Sequence, residues 1–231
     1  PIYVPFLPVS PVVLSPAGAD ATVSAKVRDV AGNESECAAD GILYDIVPAV
    51  VSITTPEIFV NSANAAAFPI GGTCSEEGRV VTLGGASSGT AICGGGRWSA
   101  VLDLSAFADG PVSVSADHID AVGNSALRAT RTFAKDTVAP VGTIVIAAGA
   151  PFTTVAATVL RLSSEGAAEM YITHSPTCAL GGAWEPYTAE RIWTLAQTNQ
   201  ISTLFASFKD AAGNIGACSS DSILHDDVPP E

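Results

Sequence analysis

A five-residue block occurs three times in this chain: Asp29-Val-Ala-Gly-Asn33, Asp120-Ala-Val-Gly-Asn124 and Asp210-Ala-Ala-Gly-Asn214. The first two copies start 91 residues apart and the last two 90. Sixteen residues after the Asp of each block comes another Asp, followed shortly by a Pro: Asp45 with Pro48, Asp136 with Pro140, Asp226 with Pro229. A fixed period of this length marks a tandem array in which one structural unit recurs along the chain. The 231 residues therefore divide into repeats before any secondary structure is assigned.

The residues ahead of each block alternate with a period of two, as a strand with one buried face does. Inward positions are Val23, Ala25 and Val27 in the first copy, Val114, Ala116 and His118 in the second, and Leu204, Ala206 and Phe208 in the third. Outward positions carry Ser24 and Lys26, Ser113 and Asp117, Ser207 and Lys209. The Gly of the block supplies the positive φ of a tight turn, and its Asp and Asn bond to the local backbone. The block is thus the turn between the last two strands of each unit. Short apolar-polar runs follow at 42–44, 131–133 and 222–224, and the Asp and Pro then end the strand and open a linker.

This places unit boundaries at 1–47, 48–139 and 140–231. The first unit is expected to be incomplete: Tyr3, Pro5 and Phe6 lie 181 residues before Trp184, Pro186 and Tyr187, so Pro1 matches a point inside the third unit. Its front strands belong either to a longer parent chain or to another molecule that completes it by strand addition. Ala, Val, Ser, Thr and Gly dominate, with 15 Pro and one Met, a mix that favours short strands and tight turns over helices. The expected class is all-β, as tandem Greek-key sandwiches.

A net charge of −13 excludes nucleic acid as a partner, since phosphate binding needs clustered Lys and Arg, and leaves divalent cations open. No apolar run reaches the roughly twenty residues of a membrane span. Five Cys without metal-ligand spacing read as disulfides in an oxidising compartment. Cys74 pairs with Cys93 in the second unit and Cys178 with Cys218 in the third. Subtracting the 40-residue spacing of the latter pair from Cys37 puts its partner just outside the chain, so Cys37 is left unpaired.

The run from Gly96-Arg-Trp98 through Asp103-Leu-Ser105, then Asp109-Gly-Pro111, the Asp120 block and Asp136-Thr-Val-Ala-Pro140, resembles the bacterial immunoglobulin-like repeats of very large secreted adhesins. The third unit shares only Gly181-Gly-Ala-Trp184, the Asp210 block and the Asp226 linker. The resemblance implies seven-stranded sandwiches, a location on the bacterial cell surface, and use as a spacer that projects a binding domain. Partners would be neighbouring repeats or like subunits, with a host-surface or carbohydrate ligand carried here or elsewhere. The other classes open are a filament or surface-layer subunit built by strand complementation, and a carbohydrate-binding module of a secreted enzyme.

Catalysis needs a nucleophile, a base and a stabiliser in one pocket, and His118, His174 and His225 are scattered, so no enzyme is expected. Trp98 and Trp184, each close to a Cys, read as core before they read as sugar platforms. The sharp site hypothesis concerns the acidic blocks. In a sandwich traversed end to end, the last turn of one unit faces the linker of the unit before it. Asp45 should approach Asp120 and Asn124, and Asp136 should approach Asp210 and Asn214. Their oxygens would suit Ca²⁺ at each junction. The plainer reading is that each Asp and Asn caps its own turn.

Overall fold

In the computed structural model, residues 4, 5, 7, 9, 11–14, 19–195 and 198–229 are described. The alternating segments around the first block form β1 (Ala19–Ala25) and β2 (Ala38–Tyr44), an antiparallel pair in register from Ala19 opposite Tyr44 to Ala25 opposite Ala38. The next segment holds β3 (Phe68–Thr73), β4 (Val80–Gly85), β5 (Gly89–Ile92), β6 (Arg97–Leu102), β7 (Gly110–His118) and β8 (Ala129–Lys135). β3 pairs with β6, and the other four lie in the order β5-β4-β7-β8. Ahead of β3, the Ser52 N–H donates to Thr73 O at 3.0 Å and the Thr54 N–H to Gly71 O at 2.9 Å, which adds a further edge to the smaller sheet. Gly72 permits that approach, because a Cβ there would stand 1.8 Å from Ser52 O.

The last segment repeats this plan with β9 (Gly142–Ile146), β10 (Phe152–Thr153), β11 (Ala157–Ser164), β12 (Ala167–Thr173), β13 (Trp184–Pro186), β14 (Glu190–Thr194), β15 (Gln200–Asp210) and β16 (Ser219–His225). Its sheets run β14-β11-β9 and β10-β16-β15-β12-β13, with β10 parallel to β16. Leaving the short β10 aside, the chain changes sheet three times in both segments, β3 to β4, β5 to β6 and β6 to β7 in one and β11 to β12, β13 to β14 and β14 to β15 in the other, and ends in a hairpin, β7–β8 or β15–β16. That strand order is the immunoglobulin-like Greek-key sandwich.

Two separate apolar cores follow from the alternation. One gathers Phe68, Leu83, Trp98, Val114 and Phe133 between its two sheets, and the other Ile144, Leu160, Met170, Leu204 and Phe208. A fully buried Phe or Leu contributes about 1.5 to 3 kcal/mol, so each core is held by its own contacts.

The inward positions of the second and third copies are buried, from Val114 to His118 and from Leu204 to Phe208. Those of the first copy are not: Val23 is 37% and Val27 57% exposed, and Ala25 is exposed as well. Among the described residues β1 and β2 pair only with each other, so no second sheet covers that face. Ser207, expected outside, is buried, and its hydroxyl donates to Gly216 O at 2.8 Å, which satisfies it inside the sandwich. Tyr3 and Phe6, on which the alignment of the first unit leaned, lie outside the described residues.

Candidate functional site: the junctions between repeats

Each five-residue block folds around its Asp. Asp120 Oδ1 accepts the N–H groups of Val122 (2.9 Å), Gly123 (2.7 Å) and Asn124 (2.8 Å), and Oδ2 accepts the Asn124 side-chain amide at 2.7 Å. Gly123 adopts φ +101°, a left-handed conformation that glycine takes without a Cβ penalty. Burial pushes the Asp120 carboxyl upward, but the Asn124 amide and the turn N–H groups pull it further down, leaving it below the ordinary aspartate value. The Asp therefore stays ionised and fixes the direction in which the Asn amide points.

That direction is toward the preceding repeat. Asn124 Nδ2 donates to the main-chain oxygen of Asp45 at 3.0 Å, 79 residues earlier. Asn214, held by Asp210 in the same way (2.8 and 2.9 Å), donates from Nδ2 to the main-chain oxygen of Asp136 at 2.9 Å. The linker Asp residues prepare the acceptor. Asp45 Oδ1 takes the Val47 N–H at 2.9 Å and Asp136 Oδ1 the Val138 N–H at 3.1 Å, small side-chain-to-backbone turns that fix the local backbone. The last turn of each unit thus latches onto the linker of the unit before it.

At the second junction the latch has another side. Asn61 Nδ2 donates to Ala212 O at 2.8 Å, and the Ser62 N–H donates to Asn214 Oδ1 at 2.9 Å. Asn61 is set for this by its own turn, in which its Oδ1 accepts the N–H groups of Ala63 and Asn64. The turn is tied to the end of β8, where the Val60 N–H donates to Ala134 O and the Asp136 N–H to Val60 O, both at 2.9 Å. Asp109 steadies the outgoing linker, accepting the Thr137 N–H (3.0 Å) and buried Lys135 Nζ (3.0 Å). Those two partners, Thr137 first, hold the Asp109 carboxyl below its ordinary value.

The six residues singled out for calcium are therefore brought together in two sets, Asp45 with Asp120 and Asn124, and Asp136 with Asp210 and Asn214. The linker Asp residues meet the turns through their main-chain oxygens, and both Asn side chains point amide nitrogen rather than oxygen at them. Among the described residues no group of three or more His, Cys, Asp or Glu side chains gathers as a metal site would. A Ca²⁺ ion takes six to eight oxygen ligands, so an ion here would draw on water and on carboxylate oxygens that now accept the turn N–H groups.

Cys74 is bonded to Cys93 and Cys178 to Cys218, each pair with Cα atoms 5.9 Å apart, and Cys37 is free and exposed. Trp98 is buried, with Nε1 donating to Ser52 O (3.0 Å) and Thr73 O (3.2 Å). Trp184 is half-buried between Tyr171, 5.4 Å away, and Lys209 Nζ, 4.6 Å above its ring. The two rings are thus used inside the fold. His118 is buried, its Nδ1 beside Val80 O (3.0 Å) and its Nε2 accepting the Glu76 N–H (3.2 Å). His174 bonds Thr203 O at 3.2 Å. An open groove beside β3 and β6 runs over Thr54, Thr55, Gly71 and Arg97, and no carboxylate, histidine or cysteine lines it.

No protein-family model and no curated protein matches the sequence. Solved structures do overlap it. One belongs to a 1.5-MDa bacterial ice-binding adhesin, studied for its retention on the host cell surface: 17% identity, 90% of this chain and 73% of that one covered, TM-score 0.49. Another is a tetra-tandem repeat from the extending region of a large adhesion protein: 19% identity, 90% of this chain and 57% of that one, TM-score 0.38. A third comprises fibronectin(III)-like modules of Clostridium thermocellum CbhA: 10% identity, 77% of this chain and 95% of that one, TM-score 0.46. The neighbours are immunoglobulin- and fibronectin-like domains at low identity, and the strand order above, rather than these overlaps, establishes the fold here.

Proposed function

We propose that the chain is a non-catalytic spacer segment of a surface adhesin, displayed outside a bacterial cell, in which like units spanning 1–47, 48–139 and 140–231 are held end to end. The observation that carries this reading is the repeated latch: an Asn amide set by its own Asp turn donates to the linker carbonyl of the unit before it, at 3.0 Å in one junction and 2.9 Å in the other. Two independent domains on a passive tether would have no need to spend a structured turn on each other's linker. Nearest-neighbour contacts of this kind let an array grow in length without any new core. Two disulfides in so short a chain fit the oxidising environment outside the cell. The sequence resemblance of the Trp98 and Asp120 segments to adhesin repeats supplies the role.

Small-angle scattering on Asn124→Asp and Asn214→Asp variants tests the reading. An Asp cannot donate to a carbonyl, so each latch is lost while the turn stays polar. Scattering should change toward a more flexible particle, and the melting temperature should fall more for Asn214→Asp, whose fully buried new carboxylate faces Asp210, than for half-buried Asn124→Asp. Profiles that superpose on the parent in both variants would mean that the latches set nothing, and the spacer reading would fall with them.

A further inference from the structure

The latch has two halves, and two such halves, the Asn33 turn and the Asp226 linker, have no latch partner among the described residues. The first copy of the block is built like its successors: Asp29 Oδ1 accepts the N–H groups of Ala31 (2.8 Å) and Asn33 (2.9 Å), and Asp29 Oδ2 accepts Asn33 Nδ2 at 2.8 Å. Gly32 has φ +96°, close to Gly123 at +101° and Gly213 at +89°. Asn33 is exposed, and its amide makes no further bond among the described residues.

The last linker repeats the acceptor side. Asp226 Oδ1 takes the Val228 N–H at 3.1 Å, as Asp136 Oδ1 takes that of Val138 at 3.1 Å. The Asp226 N–H donates to Thr153 O at 2.9 Å, as the Asp136 N–H donates to Val60 O at 2.9 Å. The backbone that presents the Asp136 carbonyl to Asn214 is therefore reproduced at Asp226, and that carbonyl accepts nothing among the described residues.

We propose that these two half-latches bind each other between molecules, so that the Asn33 turn of one copy docks on the Asp226 linker of a second copy of this chain. The inference rests on the latch reading above and extends it from neighbours in one chain to neighbours in two. The surfaces differ and lie at opposite ends of the sequence, so the contact is head to tail and adds copy to copy rather than pairing like surfaces about a two-fold axis. Thr154 stands where Asn61 does, so this socket lacks the side-chain amide that Asn61 adds at the second junction. Docking is accordingly weak, and the 13 net negative charges on each copy oppose it until salt screens them.

The test is sedimentation equilibrium of the full chain from about 10 μM to about 1 mM at about 0.5 M NaCl, a range suited to a millimolar contact. The weight-average mass should climb above the monomer's 23.3 kDa with concentration. Asn33→Asp should stay near the monomer mass, and Asp226→Ala, which loosens the linker turn, should associate several-fold more weakly. Asn33→Asp keeps its socket. Added unlabelled to ¹⁵N-labelled parent, it should therefore shift the Asn33 side-chain amide, while Asp226→Ala shifts it less.

A chain that stays monomeric with an unmoving Asn33 amide overturns the proposal, as does association that persists in Asn33→Asp. If Asn124→Asp still loosens the scattering profile in that event, docking between molecules fails alone. If it does not, the latch reading has failed first.

Discussion

The two junctions use the same turn and are not equally strong. At the first, Asn124 makes one bond to the Asp45 linker, is only half-buried, and leaves Val122 45% exposed beside it. At the second, Asn214 is fully buried and Ala212, the counterpart of Val122, is 7% exposed, and three bonds cross where the described residues show one at the first. The added contacts come from Asn61 and Ser62, which lie ahead of β3 in the front part of the second unit. A junction is therefore completed by the front of the upstream unit as well as by the turn of the downstream one. The turn aims the latch, and the front loop closes it.

Replacing the two asparagines separates these contributions. Asn214→Ala removes the Asp136 bond at a fully buried side chain, leaves the Ser62 N–H without its acceptor and releases one Asp210 oxygen. It should cost about 3 kcal/mol, since each unmet buried group costs about 1 to 3 kcal/mol. Asn124→Ala removes only the bonds to Asp45 and Asp120 at a half-exposed site and should cost about 1 kcal/mol. Differential scanning calorimetry would read both, and equal costs would erase the distinction between the junctions.

The turn glycines sharpen it. A Cβ on Gly123 would meet nothing within 4 Å, whereas one on Gly213 would come 3.2 Å from Asn61 Nδ2. Both alanines incur the strain of a positive φ, about 1 kcal/mol. Gly213→Ala must also push the Asn61 amide by a few tenths of an ångström and strain its bond to Ala212 O, and its cost should rise to about 2 kcal/mol. A third change, Asn61→Ala, should cost about 1 kcal/mol and loosen the second junction in scattering while the Asn124 amide resonance of the first stays where it was.

Much of this was legible in the residues. The alternation from Val114 to His118 and from Leu204 to Phe208 gave the strand and its buried face, because a half-covered sheet sorts side chains by parity, although Ser207 is buried against it by its bond to Gly216 O. The spacing from Asp29 to Asp120 to Asp210 marked the recurring turn, and the end-to-end path of a sandwich put Asp45 near Asn124. The chemistry of that meeting was harder to see. An Asp in a linker advertises its carboxylate, while the group used is its carbonyl, and main-chain oxygens carry no sequence signal. Asn61 was missed for a related reason: an Asn-x-x-Asn turn looks the same whether its amide faces solvent or reaches Ala212, 151 residues away. The first unit shows the limit of parity, since Val23 and Val27 carry the buried pattern with no described sheet to cover them.

Acid should affect the latched and the open turn in the same direction. Asp29 lies below its ordinary value chiefly through the Asn33 amide and then its N–H, while burial works against them; at Asp120 burial again works against the Asn124 amide and the turn N–H groups. A carboxyl lowered in the folded state contributes stability that is complete above its unfolded pKa of about 3.9 and is lost as pH falls through the folded value. The Asn124 and Asn33 side-chain amides should hold their shifts down to about pH 4 and move only below it. An Asn124 amide that moves between pH 5 and 7 would place the control of the latch in some group other than Asp120.

Calcium should have the smallest effect, and the reason distinguishes the two designs a junction of acids can adopt. A bridged junction leaves carboxylate oxygens facing a gap, repelling one another until a cation fills it, and so it stiffens on addition of Ca²⁺. In this chain Asp120 spends its oxygens on four bonds inside its own turn, Asp45 gives an oxygen to Val47, and the gap is spanned by a neutral amide and a carbonyl. With the acids turned inward there is little repulsion left for a cation to relieve. Millimolar Ca²⁺ should therefore leave both the melting temperature and the scattering profile of the parent chain where they are. A rise in melting temperature that disappears in Asn124→Asp and Asn214→Asp would instead show that the asparagine oxygens turn outward to a bound ion, and the direct latch would give way to a bridged one.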